Sequence, residues 1–142
     1  MNFTDLFDSQ DKKKRLSHIR NLVALSCADG KLEEAELELI IRIGLNAGLT
    51  RDELNRVVSR PDSISFSLPE NSRDRIEQLY DMVMVMMVDG DIDQNEIVFC
   101  KITAKRLGLR PEIIDRMVID TIDFIVKGIA IENAIDHLLR TA

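Results

Sequence analysis

The sequence predicts an all-α fold, and three observations carry that expectation. Apolar residues recur at three- and four-residue steps through most of the 142-residue chain, the period of a helix with one buried face. No segment keeps the strict alternation of a half-buried strand, and the β-branched clusters fall within helical spacing. Glycines stand where the periodic segments end, which is where helices stop most readily.

Taken in order, Leu16, Ile19, Leu22, Val23 and Leu25 share one face of a first helix that runs up to Asp29-Gly30. Leu37, Ile40, Ile41 and Gly44 mark a second helix, closed by Gly48-Leu49, and a shorter helix around Leu54 follows. Ser59 to Glu70 holds two prolines and four serines and reads as a loop. Within it Ile64, Phe66 and Leu68 alternate, so the loop is expected to lie extended with that face buried. From Arg73 to Val88 the segment shows Ile76, Leu79, Tyr80 and Val83 and then turns apolar on nearly every side, the mark of a buried helix. Further helical patterns cover Glu96 to Leu107, Glu112 to Val126 and Ile131 to Leu139, making about seven to eight helices in all.

These segments repeat. At an offset of 60 positions Leu22-Val23 falls on Met82-Val83, Asp29-Gly30 on Asp89-Gly90, Leu32 on Ile92 and Glu36 on Glu96. Gly48-Leu49 then falls on Gly108-Leu109, Leu54 on Ile114 and Arg56 on Arg116, with no gap. Amphipathic helices match one another's apolar positions by chance, but two Gly, one Asp and one Glu in common register point to an internal duplication. The expected organisation is a single domain over residues 1–142. It comprises a first repeat at about 12–60, a connecting loop at 60–71, a second repeat at about 72–120 and a helical extension at about 120–142.

Composition excludes several functions. Charged residues are 31% and apolar residues 45%, a globular balance. The net charge of −6 repels phosphate backbones, and six aromatic residues with no Trp give no base-stacking platform, so nucleic acid is not an expected partner. The longest apolar run, Met82 to Val88, falls far short of the roughly 20 residues that span a bilayer. Met1 to Gln10 carries Asp5 and Asp8 and lacks the apolar core of a signal peptide. A cytoplasmic protein without membrane insertion is the expectation. Cys27 and Cys100 stand 73 positions apart, form no metal or redox pair, and are expected to be buried and inert.

The motif with chemistry is Asp-Gly-x-[Leu/Ile]-x-x-x-Glu, at Asp29 to Glu36 and again at Asp89 to Glu96. Gly30 and Gly90 suit the left-handed end of a helix, and Leu32 and Ile92 are expected to tuck into the core. Asp93 is placed to cap the next helix with Glu96 completing a capping box, whereas the first copy has Glu33 at the cap. The +2 apolar residue and +6 Glu also match the second half of a calcium-binding loop. Its remaining ligand positions hold Leu25 and Cys27, or Val85 and Met87, so no EF-hand is present. Asp29, Glu36, Asp89, Asp91, Asp93 and Glu96 remain as candidate ligands. Were the two turns to share them, their oxygens would favour calcium, magnesium or manganese over zinc.

The two copies, "ADGKLEEAELELI" and "VDGDIDQNEIVFC", each follow a long apolar helix and precede a Gly-Leu turn. Over about Leu16 to Val118 this pattern resembles the TerB-like domain family of tellurite resistance. The resemblance implies an all-helical, internally duplicated fold, no enzymatic activity, and a metal-binding role for Asp29, Glu36, Asp89 and Glu96. Lys31 and Glu33 depart from the second copy's Asp91 and Asp93. An interaction or stress-response module with an unidentified protein partner is the function this implies. The alternatives are a metal-free structural interaction domain and, from a different class, a carboxylate-based metal hydrolase, for which His18 and His137 offer no ligand spacing. Met82, Met84, Met86 and Met87 read as core filling, and Lys12 to Arg15 as a solvated basic run.

Overall fold

The computed structural model describes the backbone of residues 3–142 and the side chains of residues 10–142. Asp5 and Asp8, on which the reading of the first ten residues rests, therefore have side chains outside the described residues. All regular structure among the described residues is helical: seven α-helices and one 3-10 turn. The chain divides into two compact units, residues 1–68 and 69–142, and the division falls inside the expected 60–71 connector.

The first unit contains α1 (Phe3–Ser26), α2 (Glu34–Asn46), α3 (Arg51–Ser59) and a 3-10 turn at Pro61–Ser63. Helix α1 packs on both α2 and α3. Its buried face holds Leu16, Ile19, Leu22, Val23 and Leu25, the residues the spacing picks out. Ile40, Leu49, Leu54, Val57 and Ile64 complete this unit's core. Inside α2, Gly44 lets α3 approach: a Cβ there would collide with the Leu54 side chain. Helix α3 begins in a full capping box, with Glu53 N–H donating to Thr50 Oγ1 (3.1 Å) and Thr50 N–H to Glu53 Oε1 (2.9 Å). Lys12 Nζ, 3.0 Å from Glu53, ties α1 to this cap.

The second unit contains α4 (Ser72–Met87), α5 (Gln94–Arg106), α6 (Pro111–Val126) and α7 (Ile131–Thr141). Helix α4 is central, packing against α5, α6 and α7. Its second half, from Met82 to Met87, is apolar nearly all round for that reason; Met82 and Met86 are fully buried as core filling predicts, and Met84 and Met87 are half-buried. Arg73 reaches from α4 to Glu132 and Asp136 on α7, and His137 stacks edge-on against Phe124 at 5.1 Å.

Helix ends follow the glycines. Leu49 N–H donates to Gly44 O (3.0 Å) and Gly48 N–H to Leu45 O (3.0 Å), and Leu109 and Gly108 repeat both bonds at the end of α5. This is the Schellman arrangement, in which the glycine takes positive φ and the following Leu buries itself; φ is +89° at both Gly48 and Gly108. Each such glycine lies under an arginine of the preceding long helix. Arg15 Nη1 stands 3.2 Å from where a Gly48 Cβ would be, and Arg75 Nη1 2.7 Å from that of Gly108. Arg15 Nη1 also donates to Ala47 O (2.7 Å), and Arg75 Nε to Pro69 O (2.8 Å).

Three expectations are corrected. Cys27 is exposed, because α1 ends at Ser26 and the thiol belongs to the turn rather than to the apolar face. Ile92 is 37% exposed and Leu32 half-buried, so the residue after each Asp-Gly does not enter the core. In the connector Ile64 is buried, but Phe66 is half-buried and Leu68 43% exposed, since the segment after the 3-10 turn forms no regular strand that would hold alternate side chains to one face.

Candidate functional site

The two Asp-Gly turns are built alike. Gly30 and Gly90 have φ of +90° and +87°, and their N–H groups donate to Cys27 O and Met87 O (2.9 and 3.1 Å). The preceding aspartates do the same local work: Asp29 Oδ1 accepts from Lys31 N–H and Asp89 Oδ1 from Asp91 N–H, both at 3.1 Å. These are Asx turns, in which a short carboxylate satisfies a backbone donor that no helix serves. Asp29, Asp89 and Asp91 are exposed.

Six residues beyond each glycine, Glu36 and Glu96 sit in the first turns of α2 and α5 and are buried, 1% and 2% exposed. A carboxylate is costly to bury, and a helix N-terminus is the place where the backbone's partial positive charge offsets that cost. The two helices start differently. Asp93 Oδ1 accepts from Asn95 N–H (2.8 Å) and Glu96 N–H (3.3 Å), so it caps α5 as predicted and brings its carboxylate to the Glu96 backbone. Glu33 makes no cap bond at α2; its Oε1 lies 3.6 Å from Lys31 Nζ instead. Where the second turn offers Asp91 and Asp93, the first turn therefore holds an ion pair, and the sequence's asymmetry is also one of local charge.

Cys27 is the residue at this site that periodicity misassigned. Its thiol is pushed above its ordinary range, first by partial burial and then by the negative charges of Asp29 and Glu36. Both carboxylates therefore lie near enough to the thiol to act on its charge. A thiol so surrounded is disfavoured as a thiolate and makes a poor nucleophile. The signal for its exposure is the helix stop itself, three residues before Gly30. Cys100 is buried in α5, where burial pushes its thiol up to about 12.

Compared with known proteins, the chain matches no family model, no curated protein and no solved structure. No helix among the described residues is long and apolar enough to cross a membrane.

Proposed function

We propose that this chain is a non-enzymatic TerB-like protein made of two copies of one ancestral helical unit, working as a cytoplasmic interaction or stress-response module of the tellurite-resistance type. In this reading it binds a protein partner and holds a divalent cation weakly at its Asp-Gly turns. The observation that supports it most is the agreement of the two turns at an offset of 60: the same positive-φ glycine, the same Asx bond and the same buried Glu in a first helical turn. Helix starts agree as well, α2 and α5 at Glu34 and Gln94, α3 and α6 at Arg51 and Pro111.

An all-oxygen ligand set of Asp89, Asp91, Asp93 and Glu96 suits calcium, magnesium or manganese. The second turn is the stronger candidate, because Lys31 neutralises part of the first. Binding to the folded state alone stabilises by about 1.4 kcal/mol at ten times the dissociation constant, a shift of a few degrees in Tm for a chain of this size. Thermal melts of the full chain in each cation test this. Asp89→Asn with Glu96→Gln should abolish the shift while the far-ultraviolet spectrum stays unchanged. Melting curves that none of the three cations moves would remove the cation from the proposal and leave a metal-free interaction module.

A further inference from the structure

Helix α5 carries an outward stripe that α2 does not. Asn95, Val98, Ile102 and Lys105 follow one another at three- and four-residue steps, the spacing of a seam between two helices; all four are exposed, as is Asp91 in the turn just ahead of the helix. Val98 is 48% exposed and Ile102 57%. At the matching positions of α2 stand Glu38 and Arg42, also exposed. Charged residues thus serve a helix in this position, and nothing in the packing of the second unit requires Val98 and Ile102 to be apolar.

The stripe is also graded in charge. Exposed Asp89 and Asp91 lie at the amino end of α5, the apolar pair lies in the middle, and exposed Lys105 and Arg106 lie in the last turn. Lys101 is drawn aside by Asp115 on α6, 3.1 Å away, so it does not interrupt the apolar pair. A surface that is acidic at one end, apolar in the centre and basic at the other complements itself when a second copy is turned through a half-rotation, the geometry of a closed two-fold interface. A partner of another kind would need only one complementary charge pattern; here the pattern is its own complement.

We propose that α5 is a homodimer seam, occupied by α5 of a second copy running antiparallel. With the two-fold axis midway between Val98 and Ile102, each Val98 packs on the partner's Ile102, Asn95 faces the partner's Lys105, and Asp91 approaches the partner's basic last turn. Helix α5 has 13 residues, a length of about 20 Å, so the seam is short and association is concentration-dependent.

Sedimentation equilibrium of the full chain over a wide concentration range is the test. Wild type should rise from 16.2 kDa towards twice that mass. Val98→Glu with Ile102→Glu sets like charges against each other across the two-fold axis and should hold the mass at 16.2 kDa throughout, with an unchanged far-ultraviolet spectrum. Asp91→Lys should weaken association by about tenfold, the equivalent of 1.4 kcal/mol, and adding Lys105→Asp to the same chain should restore it. A wild type that stays monomeric, or a dimer that survives V98E/I102E, overturns the seam. A dimer that tolerates D91K, or that K105D fails to restore, overturns the antiparallel arrangement.

Discussion

Gly90 and Gly108 share a backbone conformation, φ +87° and +89°, and a structural unit, but not their surroundings. A methyl group on Gly90 would meet nothing within 4 Å; on Gly108 it would lie 2.7 Å from Arg75 Nη1 and 3.5 Å from its Cζ. Gly90→Ala therefore imposes the left-handed penalty alone, about 1 kcal/mol. Gly108→Ala imposes the same penalty and also displaces the guanidinium, whose Nε donates to Pro69 O at 2.8 Å. A hydrogen bond to a charged group contributes about 1.5–3 kcal/mol, and losing part of it brings the expected cost of Gly108→Ala to about 2–3 kcal/mol. Urea denaturation of the full chain, followed by circular dichroism, measures both. In an Arg75→Ala background the clash is absent, so Gly108→Ala should fall to the cost of Gly90→Ala, a coupling of about 1 kcal/mol. Equal costs for the two alanines with Arg75 present would refute the idea that this arginine fills the space over Gly108.

Three further outcomes follow from the same reading of local contacts. Thr50 N–H and Lys12 hold the Glu53 carboxyl at about 2, below its usual 4.5, so its contribution to stability is present above pH 4.5 and is lost as pH falls towards 2. Nuclear magnetic resonance titration should place the Glu53 midpoint near 2, and Glu53→Gln should flatten the stability profile across that window; a midpoint at 4.5 contradicts the cap. Because Asp93 bonds the helix start it precedes and Glu33 does not, Asp93→Ala should cost about 1 kcal/mol in denaturant and Glu33→Ala only a few tenths. In native protein one thiol, Cys27, should react with an alkylating reagent, and Cys100 only on unfolding. Asp29→Asn should speed the first reaction by removing one charge that opposes thiolate formation, and two thiols reacting at equal rates in native protein would contradict the placement.

Periodicity located every helix of the second unit to within two residues, because a buried face must recur at the helical period whatever else the chain does. It could not say where a face ceases to matter. Cys27 continues the apolar run of α1 on paper, yet the helix has ended one residue earlier, and exposure follows from the turn. Ile92 and Leu68 lie in irregular segments, where no repeating backbone geometry fixes which way a side chain faces. Periodicity also passes over the Thr50–Glu53 capping box, although its spacing is written plainly in the sequence. At the candidate site four acidic positions, Asp29, Glu36, Asp89 and Glu96, are legible from register, Asp91 and Asp93 from the second copy alone, and Asp93's cap from its place before a helix. The burial of Glu36 and Glu96 is not, since a Glu in a first helical turn ordinarily faces water. The arginines over Gly48 and Gly108 are invisible to any local rule, because a long side chain joins residues far apart in sequence.

Those arginines have a use in recognising kindred chains. Arg15 precedes Gly48, and Arg75 precedes Gly108, by the same 33 residues. Amphipathic helices resemble one another too readily for apolar matches to establish descent. An arginine spaced 33 residues ahead of a Gly-Leu pair, with Asp-Gly between them, is a polar fingerprint that drift towards generic helices would erase. Under the duplication proposed above, a half-length probe of some sixty residues carrying that fingerprint would pick out single-copy chains as readily as doubled ones.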